Sequence, residues 1–307
     1  MGNPLVSSDF VRLLDNRLRK VFEGEFKEIP PMIDTLYTRM PSDSAWEEFF
    51  EVGSLGDVPE FNGKVSYLSI SPGYYTRIEP KEYAAGLQFD RKFLADKKYN
   101  VLDGRASQLT KSAKRTMDKI GVRPFAYAFS SAFDFQYSEE GVSLCSTAHT
   151  TKSPGVSTTY GFSNSGTSAL SKTSLAATRL LMRKFKDDMG NRIEIEPDML
   201  LVPDNLYDTA MEIVGSEKDP TSANNTINMN YKRWKVVPYL RLDDYDTNNW
   251  FMIDSSMMKK FLVWIDRESP SVNNTMDFET FVWKFNIYFR IACGFLNWRW
   301  LYGHSVS

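Results

Sequence analysis

Leu102, Ala106, Leu109, Ala113, Met117 and Ile120 step along the chain by 4, 3, 4, 4 and 3 residues. That spacing draws one continuous apolar stripe down an α-helix. Lys111, Lys114, Arg115, Asp118 and Lys119 fall on the other side. A helix over 103–120 is ~27 Å long at 1.5 Å per residue, so the fold must supply a core surface of that length. Gly121 and Pro124 end or kink it, and Phe125, Phe129, Ala132 and Phe133 continue an apolar spacing beyond.

The segment just before it, 52–93, is of another kind. Gly53, Gly56, Pro59 and Gly63 are loop and turn residues. Short strand-like runs follow at 65–70, 74–78 and 83–89, with Pro72-Gly73 as a turn between the first two. Arms of twelve to fifteen residues at ~3.3 Å each reach ~40–50 Å, whereas a compact chain of this length has a radius of gyration of ~19 Å. An extended hairpin here would overhang its own domain and, being marginal alone in water, would need a partner surface. A meander folded back into the core sheet fits the same spacing.

Elsewhere the pattern mixes strands and helices without regular βαβ alternation, an α+β class. Phe10, Val11, Leu14, Leu18, Val21 and Phe22 predict an amphipathic first helix, capped by Ser8 or Asp9 and stopped at Pro30-Pro31. Residues 153–166, rich in Gly, Ser, Thr and Asn, read as a loop or domain crossing. A second helix is expected over 171–188, a strand over 199–202 and a short helix over 204–214. A polar, Asn-rich loop follows over 215–229, then strands over 234–242, 250–253, 260–265, 281–291 and 298–302. There is no internal repeat.

Chemistry is harder to find. A net charge of −2 gives no basic face of the kind that phosphate binding requires. Cys145 and Cys293 are the only cysteines, too few for a disulfide framework and without metal-ligand spacing. Neither a leader peptide nor an apolar run of about 18 residues is present, so no secretion or membrane insertion is expected. Cys145 and His149 could form a nucleophile pair, but no orienting Asn or Asp motif accompanies them. Asp243, Asp244 and Asp246 lack the spacing and closing Glu of a calcium loop and read as a solvated turn. Phosphate-binding glycine loops and metalloprotease or serine-hydrolase signatures are missing. The residues therefore assign no catalytic, cofactor or metal site.

Six stretches in order carry a resemblance. They are Gly53-Ser54-Leu55-Gly56-Asp57, Tyr83-Ala84-Ala85-Gly86, the run from Gly141 through Cys145 to His149, the run from Pro197 to Pro203, the run from Trp250 to Asp254, and Arg290 to Gly294 followed by Asn297-Trp298-Arg299. Together they span about 250 residues and resemble the major head subunit of Mu-like and related tailed phages, which has the Hong Kong 97-type capsid fold.

The resemblance implies an N-terminal arm over 1–51, an extended loop over 52–92 lying on the adjacent subunit, and a peripheral domain over 93–164 and 266–307 with the 102–120 helix as its spine. It implies an axial domain over 165–265. Expected contacts between subunits are Phe10, Leu14 and Leu18 on the arm; Lys64, Tyr67, Tyr74, Tyr75 and Arg77 on the loop; and Asn224 and Asn225 near the capsomer axis. The implied role is a non-enzymatic subunit without cofactor. It would form hexamers and pentamers in an icosahedral virion shell, assembled in the host bacterial cytoplasm. The shell would enclose double-stranded DNA without sequence-specific binding. With about fifty residues before the extended loop, a separate scaffold protein is expected, together with a portal. The alternatives are an encapsulin-type compartment shell, a phage tail or adaptor protein, and a hydrolase using Cys145 and His149.

Overall fold

The computed structural model describes residues 20–22, 24, 32–68, 70–90, 96, 99–132, 136–218, 227–277, 279–280 and 282–306. The described strands are β1 (Thr38–Pro41), β2 (Glu47–Val52), β3 (Pro72–Ile78), β4 (Lys81–Asp90), β5 (Gln136–Ser138), β6 (Ser165–Gly166), β7 (Met199–Val202), β8 (Lys235–Pro238), β9 (Trp250–Ile253), β10 (Leu262–Met276), β11 (Val282–Phe295) and β12 (Leu301–His304). They form a four-stranded sheet ordered β1-β10-β11-β4, a five-stranded sheet ordered β6-β12-β9-β7-β8, and a three-stranded sheet ordered β2-β3-β5. The helices to be named are α1 (Met32–Leu36), α2 (Tyr99–Gly121), α3 (Arg123–Ala126), α4 (Lys172–Met182), α5 (Tyr207–Gly215) and α6 (Ser255–Phe261).

Helix α2 is the one foreseen from the apolar stripe. All six stripe residues are 7% exposed or less, and the helix packs on β11 and β4. On β11, Trp283, Phe285, Ile287 and Phe289 alternate with exposed or half-buried residues, the period-two pattern of a sheet covered on one face. The last turn of α2 would leave carbonyls without partners. Three elements answer them: Tyr37 Oη donates to Gly121 O at 2.5 Å, Cys293 Sγ to Ile120 O at 3.3 Å, and Tyr239 Oη to Asp118 O at 3.2 Å. This end of the helix ties together the residue after α1, strand β11 and the residue after β8.

The five-stranded sheet is the buried centre of the other half. β7 and β9 are buried at every position, as a sheet covered on both faces requires. β7, α5 and β8 form one βαβ unit, its strands parallel. Ser171 caps α4, its hydroxyl accepting from Ser174 N–H while Ser174 Oγ accepts from Ser171 N–H, a reciprocal capping box. Asp254 caps α6 by accepting from Ser256 and Met257 N–H at 3.1 Å each.

Several expectations shift. Residues 65–68 and 70 are not in a strand, and Pro72 and Gly73 lie inside β3 instead of forming a turn. Both sides of β3 are taken, by β2 and β5, so 65–70 has no edge to join there. β4 is sewn to β11 along its whole length, which among the described residues of the 52–92 segment leaves 53–71, with Glu79 and Pro80, outside the sheets. Helix α4 ends at Met182, not 188. The chain tightens into turns (Lys184 N to Leu181 O, Phe185 N to Met182 O) that still bury Phe185. β1 and β2 pair with β10 and β3, so residues 38–52 belong to the body. β12 lies between β6 and β9, which groups 301–304 with 165–265.

Candidate intersubunit surface

The three-stranded sheet holds up the loop. β2 and β3 run antiparallel from the Glu47/Ile78 pair to the Val52/Pro72 pair, and Gly53 N–H bonds Ser71 O across the neck at 3.1 Å. A side chain at Gly53 would collide with Ser71 O, so glycine is required where the loop leaves the body. Beyond the neck, the described residues of 54–70 make no backbone hydrogen bond.

What the loop shows to solvent is apolar. Val58, Phe61 and Tyr67 are 87%, 72% and 94% exposed, and Leu55, Val65, Leu68 and Ile70 are also exposed, as are Phe50 and Val52 at the neck. Nine large apolar side chains on 50–70 cannot be laid against the loop's own thin backbone. A contiguous exposed patch of this size marks a surface that meets another macromolecule.

The loop root is fastened by a buried polar network. Asn297 Nδ2 donates to Glu51 Oε1. Arg299 sits between two carboxylates, 2.8 Å from Asp188 Oδ1 and 3.6 Å from Glu51 Oε1, and donates to Lys186 O at 2.7 Å. Burial, then the negative charge of Asp188, pushes the Glu51 carboxyl up to about 7, against the opposing pull of Arg299 and the Asn297 amide.

Beside it, His149 stacks on Trp298 with ring centroids 4.3 Å apart, its Nδ1 3.1 Å from Glu140 and its Nε2 3.1 Å from Asn164 Oδ1. Asn164 also accepts from Ser146 N–H at 2.8 Å and donates to Leu144 O and Leu301 O at 2.8 and 3.2 Å. Of the six stretches singled out in the sequence, the 141–149 run and the 297–299 part of the last one therefore meet in one knot.

The expected contact residues divide. Lys64 and Tyr67 stand on the exposed loop. Tyr74, Tyr75 and Arg77 are occupied within the chain: Tyr74 Oη lies 2.7 Å from Thr150 Oγ1, Tyr75 packs between Phe50 and Tyr137, and the Arg77 guanidinium sits 4.2 Å over the Trp46 ring. Phe10, Leu14, Leu18, Asn224 and Asn225 lie outside the described residues.

No nucleophile pair forms at Cys145 and His149. Both imidazole nitrogens face Glu140 and Asn164, and burial holds the Cys145 thiol well above its ordinary value, away from the thiolate that does the chemistry. His304 is similarly inward. Its Nδ1 accepts from Ser168 N–H at 3.1 Å, which leaves the proton on Nε2, 2.8 Å from Thr178 Oγ1, and burial holds the ring down to about 4. The acidic triplet is spent on turns: Asp243 accepts from Asp204 and Asn205 N–H, Asp244 lies 3.4 Å from Arg241, and Asp246 accepts from Asn248 and Asn249 N–H. Among the described residues no group of acidic, His and Cys side chains could hold a metal ion, and no helix is long and apolar enough to cross a membrane.

Sequence reasoning missed Glu51, Asp188 and Asn164. Asn164 fell in the polar stretch that reads as a loop, and nothing in the local pattern tells a fully buried Asn from a solvated one.

No curated protein sequence matches the chain. The model of a family described as "Phage capsid protein" matches residues 74–303. The chain belongs to that family.

Solved capsids share the fold of this phage capsid protein. A chain of the bacteriophage JBD30 procapsid superposes with a TM-score of 0.53 at 14% identity, over 98% of this chain and 76% of that one. A chain of the bacteriophage PhiM1 mature capsid gives 0.57 at 10%, over 91% and 88%. The SrpI encapsulin of Synechococcus elongatus PCC 7942 gives 0.51 at 10%, over 90% and 87%, a likeness of fold. The fold is thus the Hong Kong 97-type α+β capsid fold, and this phage capsid protein is a major, shell-forming subunit of the capsid.

Proposed function

We propose that this subunit assembles into hexamers and pentamers that close as an icosahedral shell around double-stranded DNA, with 53–71 laid over the neighbouring subunit. The observation that carries the reading is the run of nine exposed apolar side chains over 50–70. Burying such surface stabilises by about 25 cal/mol per Å², a gain that only a second molecule can supply here. Repeated head-to-tail docking closes into rings where the rotation permits.

On this reading 93–164 with 266–300 forms the peripheral domain around spine helix α2. Residues 165–265 with β12 form the axial domain, 215–229 lies toward the capsomer axis, and the N-terminal residues before β1 act as an arm. The shell contacts DNA without sequence specificity, in keeping with a net charge of −2. A separate scaffold and a portal take part, assembly runs in the host bacterial cytoplasm, and the subunit has no enzymatic role. The spent imidazole and raised thiol of His149 and Cys145 support that last point.

Electron microscopy of the purified protein, alone and with a co-expressed scaffold, tests the reading. Closed shells of regular diameter are expected. A strictly monomeric particle under both conditions, or tubes in place of shells, would overturn it.

A further inference from the structure

Asn62-Gly63 is the only Asn-Gly pair in the sequence, and the fold sets it on the open part of the loop. Both residues are exposed. Among the described residues the Gly63 N–H has no acceptor and the Asn62 amide no partner. Gly63 has a φ of +94°, and a Cβ built on it would meet nothing within 4 Å. Its backbone is thus in a conformation that glycine adopts freely, with open space beside it. The related pairs in the chain are held shut. Asp103-Gly104 lies inside α2, where a backbone N–H is bonded to the carbonyl one turn back. Asn164, followed by Ser165, is wholly buried with both atoms of its amide bonded.

We infer that Asn62 is a site of spontaneous modification, at which the free subunit exchanges an amide for a carboxylate. Gly63 N gives its proton to solvent base and attacks Asn62 Cγ. The N–Cγ bond forms, the Cγ–Nδ2 bond breaks and ammonia leaves after taking a proton from water, which closes a five-membered succinimide. Water then adds to one of the two ring carbonyls. Opening at Cγ gives aspartate; opening at the main-chain carbonyl gives isoaspartate, whose backbone runs through the former side chain and is one carbon longer. Either product puts a negative charge between Glu60 and Lys64, beside the exposed Phe61 and Val65. The 54–70 segment, with Asp57 and Glu60 against Lys64, then holds three acids against one base. Burying a charge without a partner is costly, so an aged copy docks its loop poorly. The loop carries a clock that runs in free subunits and stops where a neighbour covers it. The clock rests on the shell reading above; the chemistry at Asn62 does not.

Peptide mass mapping of the purified full chain, kept unassembled at mildly alkaline pH, tests the site. The peptide holding Asn62 should gain the small mass that separates an acid from an amide and split into two chromatographic forms, faster as the pH rises. Its rate should lie within threefold of that in the urea-unfolded chain, whereas Asn164 should react at least tenfold more slowly folded than unfolded. Asn62→Gln, whose cyclisation needs a six-membered ring, should react at least tenfold more slowly than Asn62. No gain at Asn62, or a folded rate tenfold or more below the unfolded one, would overturn the modification. For the clock, Asn62 in assembled shells should convert at least tenfold more slowly than in free subunits. Asn62→Asp should lower particle yield at least threefold with the unfolding midpoint of the free subunit unchanged. Equal conversion in shells, or full yield from Asn62→Asp, would overturn the clock and leave the capsid reading standing. No shells from the wild-type chain would overturn the capsid reading and the clock together, while the mass gain still decides the site.

Discussion

The side-chain amide of Asn164 faces Ser146 N–H and His149 on its oxygen, and the carbonyls of Leu144 and Leu301 on its nitrogen. Asn164→Asp keeps the shape and replaces the donor by a second oxygen aimed at carbonyls. Losing a buried donor costs about 1–3 kcal/mol and more when a charge is left behind, so chemical denaturation should show a loss of at least ~3 kcal/mol. Glu51 behaves differently. Its carboxyl titrates near 7 when folded against an ordinary 4.5, so the folded subunit holds that proton more tightly than the unfolded chain does. Stability from this group is full below about pH 4.5 and is lost as the pH rises through 7. Glu51→Gln should match the wild type at pH 4.5 and exceed it at pH 8 by an amount of order 1–3 kcal/mol, read from denaturant midpoints across that range. An unchanged gap between the two proteins would remove the assignment. Neither residue stood out in the sequence, because each owes its role to partners far along the chain.

At the scale of elements, periodicity told most where one face of one helix or strand decides the structure. The α2 stripe, β7 and β9 were all readable from local pattern, whereas helix α6 was not, its last residues having been read as the start of a strand over 260–265. The β2–β3 hairpin was not, because strand pairing depends on which edge is free and the residues 65–70 had the right composition but no edge. Gly294 shows the same limit from the other side. Gln136 on β5 brackets the backbone of Phe295, accepting its N–H at 2.8 Å and donating to its carbonyl at 3.3 Å. That amide lies where a Gly294 side chain would go. A methyl there would also sit 2.6 Å from Ile78 Cδ1. Gly294→Ala should therefore cost about 1–3 kcal/mol by overpacking, measured by thermal or denaturant unfolding. It should also loosen the three-stranded sheet from the four-stranded one, seen as faster amide exchange in β5. Glycine in a β-rich motif signals close approach, but not what approaches.

The whole molecule divides its surface between parts that serve the subunit and one part that does not. Residues 54–70 add apolar exposure and no backbone bond to the monomer, so deleting them and joining the neck should leave unassembled-subunit stability within about 0.5 kcal/mol, the range of surface changes. The same deletion should abolish shells in electron micrographs. A wider cut through residue 85 would take β3 and half of β4 and unfold both sheets, which would tell nothing about assembly. A shortened chain that still closes into shells would show that the loop is dispensable.

β12 has a different consequence. Leu301–His304 fill the slot between β6 and β9, so the five-stranded sheet has a gap until they have been made. A chain without β12 leaves β6 and β9 unjoined, so this sheet closes only when residues from 165 to 304 are all present.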